Sequence, residues 1–533
     1  METEPTGFPR PSWIEWLCLP AGVYLALHYA WLLDDGYVYF KYVDNLLFLG
    51  HGLVYNPGEA VEGISSPGWT LLLAALRSTE IGYWTILRGI AVAAYVGFWA
   101  TLVSLRGATT PARDAPVVSF PLVYLTFHYG VGSYWTSGTE SPLGLVIAAA
   151  FAHFVVRPSS RPATVAVALG PLVRHELALP FLAAFAWKWR RERRFPLGLL
   201  LLAAVPMAAW MLFRVRQYAD LFPSTFYLKD TVDVAQGWAY VADTAGPYLV
   251  AVWAPALAVL WFVLRGRMGN ASLGRERLVQ LGLAALVVVY VVKIGGDARH
   301  FRYLAFPFVL LCCAGSGVLE AAVLRVAPRR GAALAAAVAV AIAALSFSRG
   351  PRQLDEHPFR LPPGARLVDK IADAAHHRIH ADLPRLSPWE SGDAIEMLPR
   401  YEELRGEDGE IPIGGVVAHF ICWKLYERPD RWATHSLGLT DMILARTVMP
   451  ADRPSHKNGL KPLARDLALV QHWRGSDPPS PGLHRRAVEA GVAAPWIAAN
   501  LETIEVLERK AYNRHDLLEN LRLAFTFPGR IVP

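Results

Sequence analysis

The chain has 533 residues, 53% of them hydrophobic and only 18% charged, with 18 tryptophans and a formal net charge of +7. A soluble globular chain carries about a quarter charged residues, so this balance excludes an ordinary soluble enzyme and points to an α-helical polytopic membrane protein. The surplus positive charge sits in short breaks between apolar runs, where it sets orientation in a bilayer and argues against a nucleic-acid partner.

In chain order, apolar segments are predicted near residues 13–33, 83–105, 117–134, 142–156, 163–189, 196–214, 247–264, 278–293, 301–325 and 332–348. The first run is long for a signal-peptide core and lacks a clear A-x-A cleavage site, so it reads as a retained helix. From about residue 350 the chain turns polar and Pro-rich with no further spanning run. The expected division is therefore a membrane domain over 1–349, with an interfacial first outer loop at 34–82, and a soluble mixed α/β domain over 350–533. Cys18, Cys312, Cys313 and Cys422 build neither a disulfide framework nor a zinc spacing.

The basic clusters "RRERR" (190–194), "RGRMGNASLGRER" (265–277) and "APRR" (327–330) are expected on the cytoplasmic side. A single crossing by 163–189 would put "RRERR" outside. Its middle, "GPLVRHELALP", also carries charges that are costly against lipid. Splitting it into two half-helices that turn back at Arg174, His175 and Glu176 restores the parity, and broken helices are tolerated where they line a protein cavity. The count becomes about eleven membrane segments, with 350–533 extracytoplasmic and the chain in the cell (inner) membrane.

On that topology "DDGYVYF", "YWTSGTES", "RHE", "PSTFYLKD" and "GGDARHFR" all face outward, which suggests one shared site. Asp34 and Asp35 end the first helix at interface depth, where partial desolvation raises a carboxylate pKa and improves it as a proton acceptor. Lys41, Asp44, Asn45 and His51 then recur at helical spacing, as in an amphipathic interfacial helix. "NPGEAVEGISSPGW" (56–69) reads as an ordered loop offering Glu59, Glu62, Ser65 and Ser66 to sugar hydroxyls or to solvent. In "TSGTES", Ser137 or Thr139 is expected to cap the next helix, with Glu140 favouring its dipole. Arg174 and Glu176 either pair structurally or serve a ligand. Lys229 with Asp297, Arg299, His300 and Arg302 places cations where a phosphate could bind, Arg bidentately; lipid headgroups are the competing partner. His376 and His380 could share a helical face, but no further metal ligand accompanies them and no metal site is assigned. No Walker A or G-x-G-x-x-G signature is present. The residues assign no cofactor and leave a divalent metal open.

An outward-facing acidic and cationic cleft has no access to cytoplasmic nucleotide sugars. The chemistry that fits is transfer from a polyprenyl-phosphate sugar: the phosphate leaves without protonation, cations stabilise it, and a carboxylate deprotonates an acceptor hydroxyl. A transporter or lipid flippase is the competing class. Such proteins place ionisable groups near the bilayer midplane and carry internal repeats, whereas here the charges mark one face and no clear repeat is visible. A third reading is an assembly protein that kept the fold and lost catalysis; the Asp pair argues against it.

The stretch "DDGYVYFKYVDNLLFLGHGLVYNPGEAVEGISSPGWTLLLAAL" closely resembles the first outer loop of GT-C glycosyltransferases, particularly the mycobacterial terminal arabinofuranosyltransferase group. "WTSGTESPL", "VRHELALPF", "LFPSTFYLK" and "GGDARHFRYLAFPF" resemble later blocks in the same order, covering roughly residues 30–310. "HSLGLTD" (435–441) and "RPSHKNG" (453–459) resemble a paired motif nearer the C-terminus. The resemblance implies a GT-C fold and an inverting transfer of a sugar, a furanose such as arabinofuranose among the candidates, from a polyprenyl-phosphate donor to an extracytoplasmic glycan or glycolipid. It implies Asp34 or Asp35 as base. Lys229, Arg299, His300 and Arg302 would hold the donor phosphate, and Lys41, Glu62, Glu140, Arg174, Glu176 and Asp297 would line the cavity. Asp441 and His456 are the candidates in the soluble part, which would bind acceptor or act as a lid. His175 stands where the group carries proline, His435 where Asp is common, and Lys457 and Asn458 where a Glu-Lys pair is typical.

Overall fold

The structure, a computed structural model, describes residues 9–109, 118–228, 232–264, 271–297, 301–326, 331–348, 416–419, 432–435, 440–448, 461–512 and 516–532, apart from Tyr29, Trp31, Asp34, Asp233, Pro247 and Ser476. Helices dominate. In chain order they are α1 (Trp13–His28), α2 (Gly36–Leu47), α3 (Pro67–Arg77), α4 (Tyr83–Thr109), α5 (Phe120–Thr126), α6 (Tyr129–Gly132), α7 (Ser141–Val156) and α8 (Arg161–Val173). Then come α9 (Ala178–Glu192), α10 (Leu197–Tyr218), α11 (Ser224–Leu228), α12 (Val234–Ala245), α13 (Val250–Leu264), α14 (Ala271–Lys293), α15 (Ala305–Val326) and α16 (Gly331–Ser348). Two four-residue strands, β1 (Val416–His419) and β2 (Trp432–His435), pair in parallel with Val416 opposite Trp432, and short helices follow to Ala524.

Among the described residues, three helices are long and apolar enough to cross a membrane, within Tyr83–Arg106, Leu197–Tyr218 and Arg302–Glu320. Four shorter apolar helices accompany them, within Ser141–Val156, Arg161–Val173, Val250–Val263 and Ala333–Ser346. This is a helical membrane protein. At 1.5 Å per residue these shorter helices, over their described residues, fall below the roughly 30 Å of a hydrocarbon core.

The chain divides into two compact units. The first comprises residues 1–31, 87–204 and 232–381. Its centre is α7, buried along almost its whole length as its all-round apolar sequence requires, and packed by α8, α14 and α15. Helix α12 packs on α14 through Gly237, where an added Cβ would lie 2.1 Å from the Val292 carbonyl oxygen; only glycine permits that approach. Helix α1 is held by a charge: fully buried Glu15 accepts from Arg106 Nε at 2.9 Å and from the Ser119 amide at 2.9 Å. The run expected to break does so. Helix α8 ends at Val173, Arg174 takes extended dihedrals, His175–Leu177 form a 3-10 turn and α9 restarts at Ala178.

The second unit comprises residues 32–86, 205–231 and 382–533. Its core gathers Val61 with Met442, Leu444, Leu467, Leu483, Ile497, Ile504, Leu507 and Ile531. Helix α2 is amphipathic as expected, yet its polar residues turn inward. Lys41 is buried with its Nζ 4.3 Å above the Tyr55 ring, and Asn45 donates to the Val54 and Tyr55 carbonyls at 2.7 and 3.0 Å. Leu46, Phe48 and Leu49 are exposed instead. The loop after α2 is stitched to α10 and its continuation by Tyr218 Oη donating to the Leu53 carbonyl and the Ser224 amide donating to the Glu62 carbonyl.

Candidate active site

In the first unit the chain delivers five charged side chains to one buried cluster. Glu140 is the residue before α7, Arg174 and Glu176 occupy the break between α8 and α9, Asp297 follows the Gly295–Gly296 turn after α14, and Arg302 opens the 3-10 turn before α15. Each device is local. Both glycines have positive φ near +79°, and an added Cβ at Gly296 would meet the Tyr240 ring at 2.5 Å, so the turn can pass this point only as glycine. Capping at α7 differs from expectation: Ser137, Thr139 and Ser141 form a hydroxyl chain at 2.9 and 3.0 Å, and Glu140 occupies the cap position without capping the helix through its side chain.

The cluster is ordered around the two guanidinium groups. Arg174 donates to Glu176 Oε1 at 2.6 Å, and its Nη1 lies 3.7 Å from Glu140 Oε1. Arg302 approaches the same Glu140 oxygen at 3.9 Å and Asp297 Oδ2 at 3.7 Å. One carboxylate oxygen thus stands between two cations, at distances too long for strong hydrogen bonds. Arg174 also lies 4.9 Å from the Tyr303 ring centroid, and the Tyr240 hydroxyl accepts from the Tyr303 amide at 3.3 Å. Two fixed, buried guanidiniums facing a single oxygen position suit a phosphate oxygen as well as a carboxylate. His175 stands 3.8 Å from Glu176 and 3.5 Å from the Tyr290 hydroxyl.

The second unit holds Asp35, Lys41, Glu62 and Asp441. Asp35 is the half-buried residue that starts α2, without a side-chain capping bond. Glu62 is committed to structure: Arg214 grips it at 2.5 and 3.1 Å, and burial still holds its carboxyl above the usual range. Asp441 caps the helix Met442–Ala445, accepting from the Ile443 and Leu444 amides at 2.9 Å each. Together with Glu59, Gln471, His484 and Tyr512 it lines a cavity of about 10 Å³, about the room one water needs. Burial, reinforced by Asp441, pushes the Glu59 carboxyl up to about 8. His484 Nδ1 is 2.7 Å from Glu508. Nearby, Asp220 is an anionic hub joined to Tyr227 at 2.6 Å, to Lys510 at 3.5 Å and to Arg446, which stacks 3.7 Å over the Tyr227 ring.

Asp34, Lys229, Arg299, His300 and His456 lie outside the described residues, as do His376 and His380. Sequence reasoning missed Arg214, Asp220, Arg446 and Lys510. Arg214 carried a signal, since an arginine inside an apolar run asks for a partner. Among the described residues no three His, Cys, Asp or Glu side chains gather as metal ligands.

No family model matches the chain, and no solved structure does. Two curated proteins are similar. The terminal β-(1→2)-arabinofuranosyltransferase of Corynebacterium glutamicum is 28% identical over 321 residues, covering 52% of this chain and 46% of that protein. The protein of the same name from Mycobacterium tuberculosis is 29% identical over 338 residues, covering 54% of this chain and 52% of its own length. The chain thus spans about half the length of the curated relatives it matches.

Proposed function

We propose that this chain is a GT-C-type membrane glycosyltransferase that moves a pentofuranose such as arabinofuranose from a polyprenyl-phosphate donor to a hydroxyl of an extracytoplasmic glycan or glycolipid. The similarity to two terminal arabinofuranosyltransferases carries the reading, and the buried Arg174–Glu140–Arg302 arrangement supports it.

In the proposed reaction the acceptor oxygen attacks the anomeric carbon while the bond from that carbon to the phosphate oxygen breaks. The phosphate departs with the electron pair and the configuration inverts. Asp34 or Asp35 takes the acceptor proton. Arg302 and Arg174, with Lys229, Arg299 and His300, stabilise the phosphate as its charge grows, and Glu140, Glu176 and Asp297 hold the guanidiniums in place before the donor arrives. Lys41 and Glu62 organise the first outer loop. Residues 350–533, with Asp441 and His456, form an extracytoplasmic domain that presents the acceptor, and the membrane is the cell's inner one.

The test is sugar transfer in proteoliposomes, offering a panel of polyprenyl-phosphate sugars to wild type, Asp34→Asn and Asp35→Asn. Turnover with one donor, lost in one Asn variant at unchanged folded yield, is expected. Absence of turnover with every donor, or full activity in both variants, would return the chain to the transporter class.

A further inference from the structure

The segment from Asp516 to Val532 reads "DLLENLRLAFTFPGRIV" and forms a short helix, Leu517–Ala524, started by Asp516 accepting from the Glu519 amide at 2.8 Å. The helix buries Asn520, Leu523 and Ala524 and leaves its other apolar side bare. Leu517, Leu518, Leu521, Phe525, Phe527 and Val532 are all exposed, Leu518 by 78%. Single exposed apolar side chains are ordinary, but Leu517, Leu518, Leu521 and Phe525 recur at the spacing of one helix face, with Phe527 two residues further on, and an apolar face of that kind requires a partner.

The location of the patch identifies that partner. Asn520 Nδ2 donates at 2.8 Å to the carbonyl of Arg216, in the last turn of α10, where a helix leaves its carbonyls without intrahelical donors. Helix α10 is one of the three helices able to cross a membrane, and the least buried of them. Val205 and Leu212 stand exposed on its shaft, as a lipid-facing helix requires. The terminus of such a helix lies at the bilayer surface, so a segment bonded to it lies there too. The exposed Phe222 and Phe226, stacked 4.3 Å apart just after α10, supply the aromatic pair typical of that depth. The charges agree: Arg522 and Arg530 are exposed beside the patch, while Glu519 is neutralised by Arg509 at 3.0 Å. An apolar face flanked by arginines is the composition of an interfacial anchor.

We infer that residues 516–532 form a membrane anchor whose apolar face lies in the leaflet at the Tyr218 end of α10, fixing the second unit to the bilayer surface. This rests on α10 as a membrane span and is independent of the glycosyl-transfer proposal.

The test places an environment-sensitive fluorophore at Leu518→Cys or Phe527→Cys, with Glu489→Cys as an exposed control in the same unit. The native cysteines are replaced by serine, and the full chain is reconstituted in phosphatidylcholine/phosphatidylglycerol vesicles with and without nitroxide-labelled lipid. Blue-shifted emission at both patch positions, largely lost to the nitroxide lipid while the control stays bright, is the expected result. Emission at both positions as red and as unquenched as the control would overturn the anchor. So would a blue shift insensitive to nitroxide lipid and dependent on protein density, which would mean that a second copy covers the patch.

Discussion

Arg174 binds Glu176 through two of its nitrogens and also meets Glu140 and the face of Tyr303. A lysine has one point charge and cannot reproduce that fork. Arg174→Lys is expected to forfeit one charge-assisted contact of the fold, about 1.5–3 kcal/mol, read as a lower midpoint in a detergent melt, and, because the proposed donor phosphate faces the same guanidinium, to lower kcat/KM for the preferred donor by roughly 10-fold or more as well. Glu59 yields a prediction of another kind. Its carboxyl moves from 4.5 in the ordinary state to about 8 in the fold, so the native state binds a proton that the unfolded chain releases between those values. The stability this proton confers is complete below 4.5 and falls as pH rises towards 8. Melting temperature should decline across that window in wild type, and Glu59→Gln should flatten the decline. An unchanged slope in the variant would assign the titration elsewhere. The pairing of Arg174 with Glu176 was legible in the sequence, because charges inside an apolar run have few partners but each other. Glu62 with Arg214 was not, since 152 residues separate them and no local rule links a loop acid to a distant helix.

Secondary structure carries the same division between local and remote causes. The break at Arg174 could be anticipated from the expense of charge against lipid, and α2 from its spacing. The inward turn of α2's polar side could not, because it depends on the Tyr55 ring and the Val54 and Tyr55 carbonyls, which only the folded loop supplies. The half-helix before the break was legible too: α8 is a helix of 13 residues that stops at Val173, as a run that turns back at a charge must. The α12–α14 crossing is the element-level test. Gly237→Val would drive a branched side chain into the Val292 backbone, where no rotamer relieves the clash. The expected outcome is a loss of about 1–3 kcal/mol or more, measured as reduced folded yield and a lower midpoint in a detergent melt, whereas Gly274→Ala in open space should be neutral or mildly stabilising.

At the scale of the molecule, the second unit is assembled from three separate stretches of chain. Asn56 is one of its fasteners: its side chain donates to the Ala433 carbonyl at 3.0 Å, accepts from the Ala433 amide at 2.9 Å and donates to Glu59 at 2.7 Å. Asn56→Ala strands these buried groups, at about 1–3 kcal/mol each. Limited proteolysis should then cut the second unit faster while fragments of the first unit survive, and equal cleavage rates would deny the loop this fastening role. The Ala60 amide donates to the Ala511 carbonyl at 2.9 Å, and a ribosome adding about 5–20 residues per second needs on the order of 20–90 s to travel from one to the other. For that interval the nascent loop carries a buried-to-be carboxyl and apolar residues whose partners have yet to be synthesised. The chain's most vulnerable moment is therefore its own translation, and the speed of elongation, or a factor that shelters the waiting loop, becomes a determinant of how much protein reaches the folded state.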